Sequence, residues 1–143
     1  MREAALAFGP FGSDYGARLE RILERVEARS WIALSRGRRV GFAVLVPRRA
    51  AGFRPAVAAE LVAIAVRPGW RRRGIGSLLL RTAAEGAREA GWGELRLWTA
   101  LSNRPARRLF RAAGFAATVG GRARYPSGEP ALEMVRAVRR SSR

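Results

Sequence analysis

The chain contains no cysteine and no histidine, and its sequence shows no lysine and no glutamine either. Without cysteine or histidine there is no thiolate nucleophile, no Ser-His-Asp triad, no disulfide and no ordinary zinc site. Without lysine there is no Schiff-base chemistry and no Walker-type phosphate loop. Proton transfer is therefore left to a few glutamates, two tyrosines, hydroxyl groups, water and the backbone.

All 28 cationic residues are arginines, against 11 acidic residues, and the formal net charge is +17. Exclusive use of arginine is what a GC-rich genome produces, whereas the sign of the charge favours anionic partners such as nucleotide cofactors, acidic proteins or nucleic acid. The arginines are spread along the whole chain, which is also typical of an ordinary solvated surface. Both interpretations, a partner or a bias of composition, stay open.

The length of 143 residues suits one domain over 1–143 that buries its own core without metal or disulfide. Hydrophobic residues make up 48% of the chain. No apolar run approaches the roughly 18 residues of a membrane span. The N-terminus lacks the apolar core of a signal peptide, which predicts a cytoplasmic protein without membrane contact. Residues 139–143 are expected to form a basic tail.

Hydrophobic periodicity predicts an α/β fold with a mixed β-sheet flanked by helices. Strand–helix–strand units in the middle of the chain make the central strands parallel. A loop is expected over Pro47–Ala59. The predicted elements are helices over Asp14–Arg29, over Ile75–Ala90 and after Asn103, and strands over Trp31–Ser35, Arg39–Val46, Leu61–Val66, Glu94–Thr99, Phe115–Val119 and Ala131–Val138.

The most informative segment, residues 66–77, reads VRPGWRRRGIGS and leads from a buried strand into the second helix. Gly74 and Gly76 have no side chain, so successive backbone N–H groups can close around an anion. The helix N-terminus adds unpaired N–H donors and the positive end of its dipole. Arg71–Arg73 add forked cationic donors. These features favour a phosphate-binding loop, and a tight turn beside three solvated arginines is the alternative.

Two blocks of the sequence resemble the GNAT superfamily of acyl-CoA-dependent N-acyltransferases. Residues 71–76 read RRRGIG and resemble the family's (Q/R)xxGx(G/A) pyrophosphate loop. Residues 103–115 read NRPARRLFRAAGF and resemble the family's NxxAxxxYxxxGF segment, with the chain's single asparagine at its first position. The resemblance covers about Trp31 to Val138, and it implies the family's fold and its acetyl-transfer chemistry.

The resemblance implies that strand Leu61–Val66 splays from strand Glu94–Thr99, with the pantetheine arm of acetyl-CoA paired between them like a further strand. The amides that follow Arg71 would hold the pyrophosphate, and the start of the third helix would lie near the pantetheine end. No metal is implied. The implied cofactor-binding residues are Ile64, Ala65, Val66, Arg71, Arg72, Arg73, Gly74, Ile75, Gly76, Ser77, Asn103, Ala106, Arg107 and Phe110.

Direct transfer from a thioester to an amine needs a neutral amine, a stabilised oxyanion and a proton for the leaving thiolate. The resemblance implies Glu60 as the general base and a backbone N–H near Val66 as the oxyanion donor. Partial burial would raise the pKa of Glu60 toward neutrality, and a solvated charge at a strand end is the alternative. The family's usual acid is a tyrosine at the position of Phe110, which has no hydroxyl. Tyr125 is the substitute candidate, and Tyr15 is a weaker one.

The acceptor is not defined by these motifs, because specificity in the family lies in the first helix, the 47–59 loop and the last hairpin. Ser102-Asn103 and the Tyr125 hairpin resemble the branch that acetylates the N-terminal alanine of a ribosomal protein. The segment Trp98–Leu101 lacks that branch's acidic and arginine residues. The net charge favours acidic peptides or RNA-associated proteins over aminoglycosides and polyamines.

The sequence therefore predicts an N-acetyltransferase that moves an acetyl group from acetyl-CoA to the primary amine of a protein N-terminus, a peptide or a small molecule. The alternative is a catalytically weak or inactive basic module of the same fold that binds the ribosome or nucleic acid through arginine. The absent tyrosine at Phe110 allows this alternative, whereas Glu60 and the intact loop disfavour it. A homodimer, common in the family, is a further expectation.

Overall fold

The computed structural model describes residues 27–48 and 58–138. A 3₁₀ turn at Pro68–Trp70 precedes the first described α-helix. Most of the predicted helix over 14–29, most of the 47–59 loop and the basic tail 139–143 lie outside the described residues. The elements in chain order are β1 (Arg29–Ser35), β2 (Arg38–Arg48), β3 (Ala58–Val66), α1 (Ile75–Glu89), β4 (Glu94–Ala100), α2 (Arg104–Ala112), β5 (Ala116–Arg124) and β6 (Pro130–Ala137).

The six strands form one mixed sheet in the order β1-β2-β3-β4-β6-β5. The pair β3–β4 is parallel, and the other four neighbouring pairs are antiparallel. The predicted α/β fold, with antiparallel pairs at the edges and parallel strands in the centre, is confirmed. Within the described ranges, neither helix combines the length and the apolar character that crossing a membrane would need.

The two central strands separate soon after they meet. Their register pairs are Ala58–Glu94, Ala59–Leu95 and Glu60–Arg96, and beyond these β3 runs to Val66 and β4 to Ala100 without a further pair. The register between β2 and β3 shifts at Val44/Leu45. Such irregularities bend a strand and change its twist locally. The expected splay of the central parallel strands is therefore present.

Helix α1 is fixed on the sheet by an apolar face and by one close approach. Its buried residues recur at three- and four-residue steps, as expected of a helix packed on a core. At Gly86 the helix meets Trp31 of β1, because a Cβ on this glycine would lie 2.8 Å from Cη2 of the indole. This contact holds α1 against β1, and α1 also packs on β2 and β3.

The predicted loop over 47–59 is wrong at both ends, because Pro47 pairs with Ala59 and Arg48 with Ala58, which extends β2 and β3 into it. Two further predicted boundaries are wrong, each for a physical reason. Arg29, predicted as the end of a helix, is the first residue of β1 and pairs with Leu45. The fifth strand continues to Arg124 instead of ending at Val119. A shift of register between Ala117 and Arg122 absorbs the two glycines between them, which the sequence pattern had indicated as a turn.

Candidate functional site

The connection from β3 to α1 turns twice through the left-handed region. Arg72 has φ 64° and Gly74 has φ 80°. Gly74 is the N-cap residue of α1 and provides no side-chain cap to the helix. Backbone N–H groups that converge in such a turn form a concave anion site, which the helix N-terminus extends. A left-handed non-glycine residue such as Arg72 is uncommon and is often found at a functional position.

The loop arginines are held in different ways. Arg71 Nε donates to the carbonyl oxygen of Val66 at 3.2 Å, which closes the loop onto the end of β3. The guanidinium of Arg73 lies over the ring of Trp70, 4.8 Å from its centroid. All three arginines, including Arg72, are exposed. The loop therefore combines left-handed turns at a helix N-terminus with a cationic rim, an arrangement that suits an anionic group.

Helix α2 approaches this loop at Gly76. A Cβ on this glycine would lie 3.1 Å from Cδ2 of Leu109, so the glycine allows the two helices to meet closely. At the start of α2, Asn103 Oδ1 accepts a hydrogen bond from the Ala106 amide at 3.2 Å. Asn103 is thus the predicted N-cap, and its proposed contact with the cofactor stays a prediction.

Two further residues of α2 differ in what they can offer a ligand. Arg107 Nη1 donates to the carbonyl oxygen of Leu101 at 2.8 Å. Its Nε is buried and has no hydrogen-bond partner among the described residues, which fits an acceptor group supplied from outside the chain. Phe110 is fully buried and packs edge-on against Phe115, with ring centroids 6.0 Å apart. Phe110 therefore has a packing role, and its contact with the cofactor stays a prediction.

Glu60 lies where β3 and β4 separate, since its register partner Arg96 is the last one that joins the two strands. Its side chain is 30% exposed, and Oε1 lies 3.7 Å from Nη1 of Arg48 at the end of β2. The two groups form an ion pair that joins the end of β2 to β3. The structure thus places the candidate base at the inner end of the strand split.

Glu60 belongs to a larger cluster of charges that sequence reasoning missed. The centre of this cluster is Glu133 of β6, which is buried with 7% exposure. Glu133 Oε2 accepts from Arg48 Nη1 at 3.3 Å, and Oε1 accepts from Arg96 Nη1 at 3.4 Å and from Thr118 Oγ1 at 3.3 Å. Arg96 Nε also donates to Glu94 at 2.8 Å. The hydrogen bond to Glu94 is the main cause of a raised pKa of Arg96, so this guanidinium keeps its charge.

No sequence signal pointed to this cluster. Arg48 and Glu133 are 85 residues apart, and Glu133 lies within an apolar stretch from Ala131 to Val135 that does not indicate its partner. The contact exists because β2, β3, β4 and β6 lie side by side. In the part of the chain that the structure describes, no group of three or more acidic side chains could hold a metal ion.

Tyr125, the candidate acid, lies in the loop between β5 and β6. Burial raises the pKa of its hydroxyl, and the nearby Glu129 carboxylate adds to the rise. The phenol therefore carries its proton at neutral pH, as an acid must, but holds it more tightly than an ordinary tyrosine. The loop is fastened by the Tyr125 amide, which donates to the Glu129 carbonyl at 2.9 Å, and by the contact of Ser102 Oγ with the Glu129 carboxylate.

The two catalytic candidates lie at different heights along β4. Glu60 is level with Arg96, whereas the Tyr125 loop is level with Ala100, because Ala131 of β6 pairs with Ala100. The two positions are therefore separated by four residues of β4, which corresponds to about 13 Å along the strand. A cavity of about 350 Å³ opens beside the Tyr125 loop, and the residues that line it include Arg122 and Arg124.

Comparison with protein families decides the assignment. The sequence model of the Acetyltransferase (GNAT) family matches residues 2–115. The chain belongs to the GNAT family of acetyltransferases. Among curated proteins, streptothricin acetyltransferase from Streptomyces lavendulae is 49% identical to this GNAT chain over 53 residues, which are 37% of the chain and 28% of that relative. The match thus spans less than a third of the length of that relative.

Solved structures share the fold of this GNAT chain. A GNAT-family protein from Desulfovibrio desulfuricans has a TM-score of 0.76 at 24% identity, with 96% of this chain and 87% of that chain covered. Nourseothricin acetyltransferase has a TM-score of 0.69 at 28% identity, with 79% and 66% covered. An acetyltransferase from Bacillus subtilis, solved in complex with CoA, has a TM-score of 0.73 at 18% identity, with 87% and 85% covered.

Proposed function

We propose that this GNAT chain is an acetyl-CoA-dependent N-acetyltransferase that acts on a primary amine by direct attack. The observation that carries the proposal is the split between β3 and β4, which leads directly into the left-handed turns at Arg72 and Gly74. An open strand edge followed by convergent amides at a helix N-terminus suits a ligand with a strand-like arm and a pyrophosphate.

The chain's own groups would hold acetyl-CoA in three places. The backbone of Ile64–Val66 would pair with the pantetheine arm, and the amides from Arg71 to Ser77 would bind the pyrophosphate. The buried Arg107 Nε, which lacks a partner within the described chain, would donate to a carbonyl of the arm. Coenzyme A bound to the Bacillus subtilis relative supports this choice of ligand.

For the reaction itself, Glu60 would take the proton of the attacking amine, directly or through water. A backbone N–H near Val66 would stabilise the developing oxyanion, because fixed donors in a sheltered site act strongly on new charge. Tyr125 would give its proton to the leaving thiolate. Its raised pKa makes it a reluctant acid, so we expect a smaller contribution from Tyr125 than from Glu60.

Two acceptor classes have support from different observations. Streptothricin acetyltransferase and nourseothricin acetyltransferase, by their names, acetylate streptothricin and nourseothricin, and both proteins are similar to this chain. The net charge of +17 and the arginines that line the cavity beside the Tyr125 loop favour an acidic peptide instead. We propose a primary amine as the acceptor and regard an acidic peptide N-terminus as the preferred class.

The cofactor site can be tested by titrating acetyl-CoA into the chain in a calorimeter, with Gly76→Glu and Gly76→Gln as a matched pair. Both variants add the same bulk beside Leu109, but only glutamate adds a negative charge to the loop. Repulsion of the pyrophosphate should weaken binding to the glutamate variant about 100-fold or more. The glutamine variant should lose no more than about tenfold in affinity for acetyl-CoA. Wild-type affinity in the glutamate variant would contradict the phosphate site.

The reaction can be tested by measuring thiol release with a panel of acceptors that includes streptothricin and peptides with acidic or basic sequences. Glu60→Gln should lower kcat at least about 100-fold, the usual worth of a general base. Tyr125→Phe should lower kcat by a smaller factor than Glu60→Gln does. Full turnover in Tyr125→Phe would remove Tyr125 from the mechanism and leave Glu60 in place. Absence of thiol release, together with RNA binding that weakens steeply with salt, would favour the binding module instead.

A further inference from the structure

The charge cluster around Glu133 contains two residues that can assist the proposed reaction through Glu60. We propose that Glu133 and Arg48 are positioning residues that hold the Glu60 carboxylate at the inner end of the strand split. This inference rests on the proposed function, because it gives Glu60 its orientation for proton transfer. Glu133 anchors Arg48, and Arg48 in turn faces Glu60.

Glu133 has the properties of an anchor. It is buried, and both of its oxygens accept hydrogen bonds, Oε2 from Arg48 and Oε1 from Arg96 and Thr118. Both carboxylate oxygens are thus engaged by donors, two of which are cationic guanidinium groups, and such charge-assisted hydrogen bonds are among the stronger ones in proteins. Glu133 is therefore suited to fixing its arginines and poorly suited to being the base itself.

Arg48 is the residue that needs an anchor. Its side chain is 45% exposed at the end of β2, and a long exposed arginine samples many rotamers unless something restrains it. The same Nη1 lies 3.3 Å from Glu133 Oε2 and 3.7 Å from Glu60 Oε1. The hydrogen bond to Glu133 thus fixes the cation, and the fixed cation orients Glu60 through charge.

The cluster also sets the local charge around Glu60. Two arginines, Arg48 and Arg96, face three carboxylates, those of Glu60, Glu94 and Glu133, so the cluster carries a net negative charge in a strongly cationic chain. Arg48 reaches Glu60 from β2, whereas the other charged groups of the cluster lie on β4 and β6. The unbalanced negative charge is that of Glu60 itself, because the two arginines balance Glu94 and Glu133.

A double-mutant cycle tests whether Arg48 and Glu133 act through Glu60. Arg48→Met and Glu133→Gln are measured alone and in the Glu60→Gln background, by thiol release with a fixed acceptor. Each single change should lower kcat about tenfold and leave the KM for acetyl-CoA within about twofold, and neither should cause a further loss once Glu60 is glutamine. Arg48→Lys should restore part of the loss because it keeps the charge.

Glu94→Gln is the matched control. It removes a carboxylate from the same cluster but has no contact with Arg48, so kcat should stay within about twofold of the wild type. A pH profile gives a readout that a merely structural role would not move. Arg48→Met should shift the acidic limb of kcat/KM to higher pH, because a carboxylate without its neighbouring cation takes up a proton at higher pH.

The outcomes separate the two proposals. Losses from Arg48→Met and Glu133→Gln that persist at full size in the Glu60→Gln background would overturn the positioning role and leave the proposed function intact. Full turnover in Glu60→Gln alone would overturn both the base and its positioning. An acidic limb that does not move in Arg48→Met, at wild-type melting temperature, would also contradict the inference.

Discussion

At the scale of single residues, Tyr125 links the candidate site to alkaline stability. Burial raises the pKa of its hydroxyl, so the folded chain keeps the phenolic proton at a higher pH than the unfolded chain does. An unfolded tyrosine titrates near pH 10, at about its model value. The stabilising contribution of Tyr125 is therefore complete below that pH and is lost as the pH rises through the folded value.

We expect the free energy of unfolding to fall above about pH 10, by up to about 1.4 kcal/mol per pH unit from this group. Tyr125→Phe should remove that part of the slope, as measured by urea unfolding at pH 9, 10 and 11 with tryptophan fluorescence. The other tyrosine, Tyr15, lies outside the described residues and provides the control variant Tyr15→Phe. An unchanged slope in Tyr125→Phe would contradict the assignment to Tyr125.

At the scale of elements, the packing of α1 on β1 reverses a simple propensity rule. Replacing a glycine in the middle of a helix by alanine ordinarily stabilises the helix by about 1 kcal/mol. Gly86→Ala should instead lower the free energy of unfolding by about 1–3 kcal/mol, because the new methyl group would collide with the Trp31 ring. Chemical denaturation measures the change.

The matched background for this prediction is Trp31→Leu, which removes the ring that α1 meets at Gly86. In that background Gly86→Ala should be neutral or stabilising, since only the propensity term remains. If the alanine destabilises both backgrounds equally, the collision with Trp31 is not the cause.

The elements themselves were largely predictable, because each depends on local chemistry. Gly74 and Gly91 bound α1, and Asn103 caps α2, so the sequence places both helices closely. Strand β5 was not predictable at its far end, since Gly120-Gly121 has the composition of a turn and only its pairing with β6 keeps it in the sheet. A register shift depends on the partner strand, which a local pattern does not contain.

The candidate site also has one part that the sequence predicts and one part that it does not. The loop from Arg71 to Ser77 is one contiguous segment, so its glycines and arginines indicate a phosphate site before any fold is known. The anchor of Glu60 is different, because Arg48 and Glu133 come together only through the strand order β2-β3-β4-β6. Contacts across four strands carry no signature in either segment.

At the scale of the whole molecule, the net charge of +17 should affect how acceptors arrive. A strongly cationic surface draws in anionic partners from a distance, and salt screens that attraction. With an acidic peptide as acceptor, we expect kcat/KM to fall about tenfold between about 0.01 M and 0.3 M salt. A peptide of the same length with lysine in place of glutamate should show the opposite trend. Equal salt dependence for both peptides would contradict this steering.

The short ladder between β3 and β4 has a consequence for the folding cooperativity of the molecule. Three register pairs join the half-sheet β1-β2-β3, which carries most of the packing of α1, to the half-sheet β4-β6-β5. Segments linked by few hydrogen bonds open as separate cooperative units. A ligand arm paired along the open edge of β3 would bridge these two units. Binding of the ligand should therefore merge their unfolding into a single, more cooperative transition.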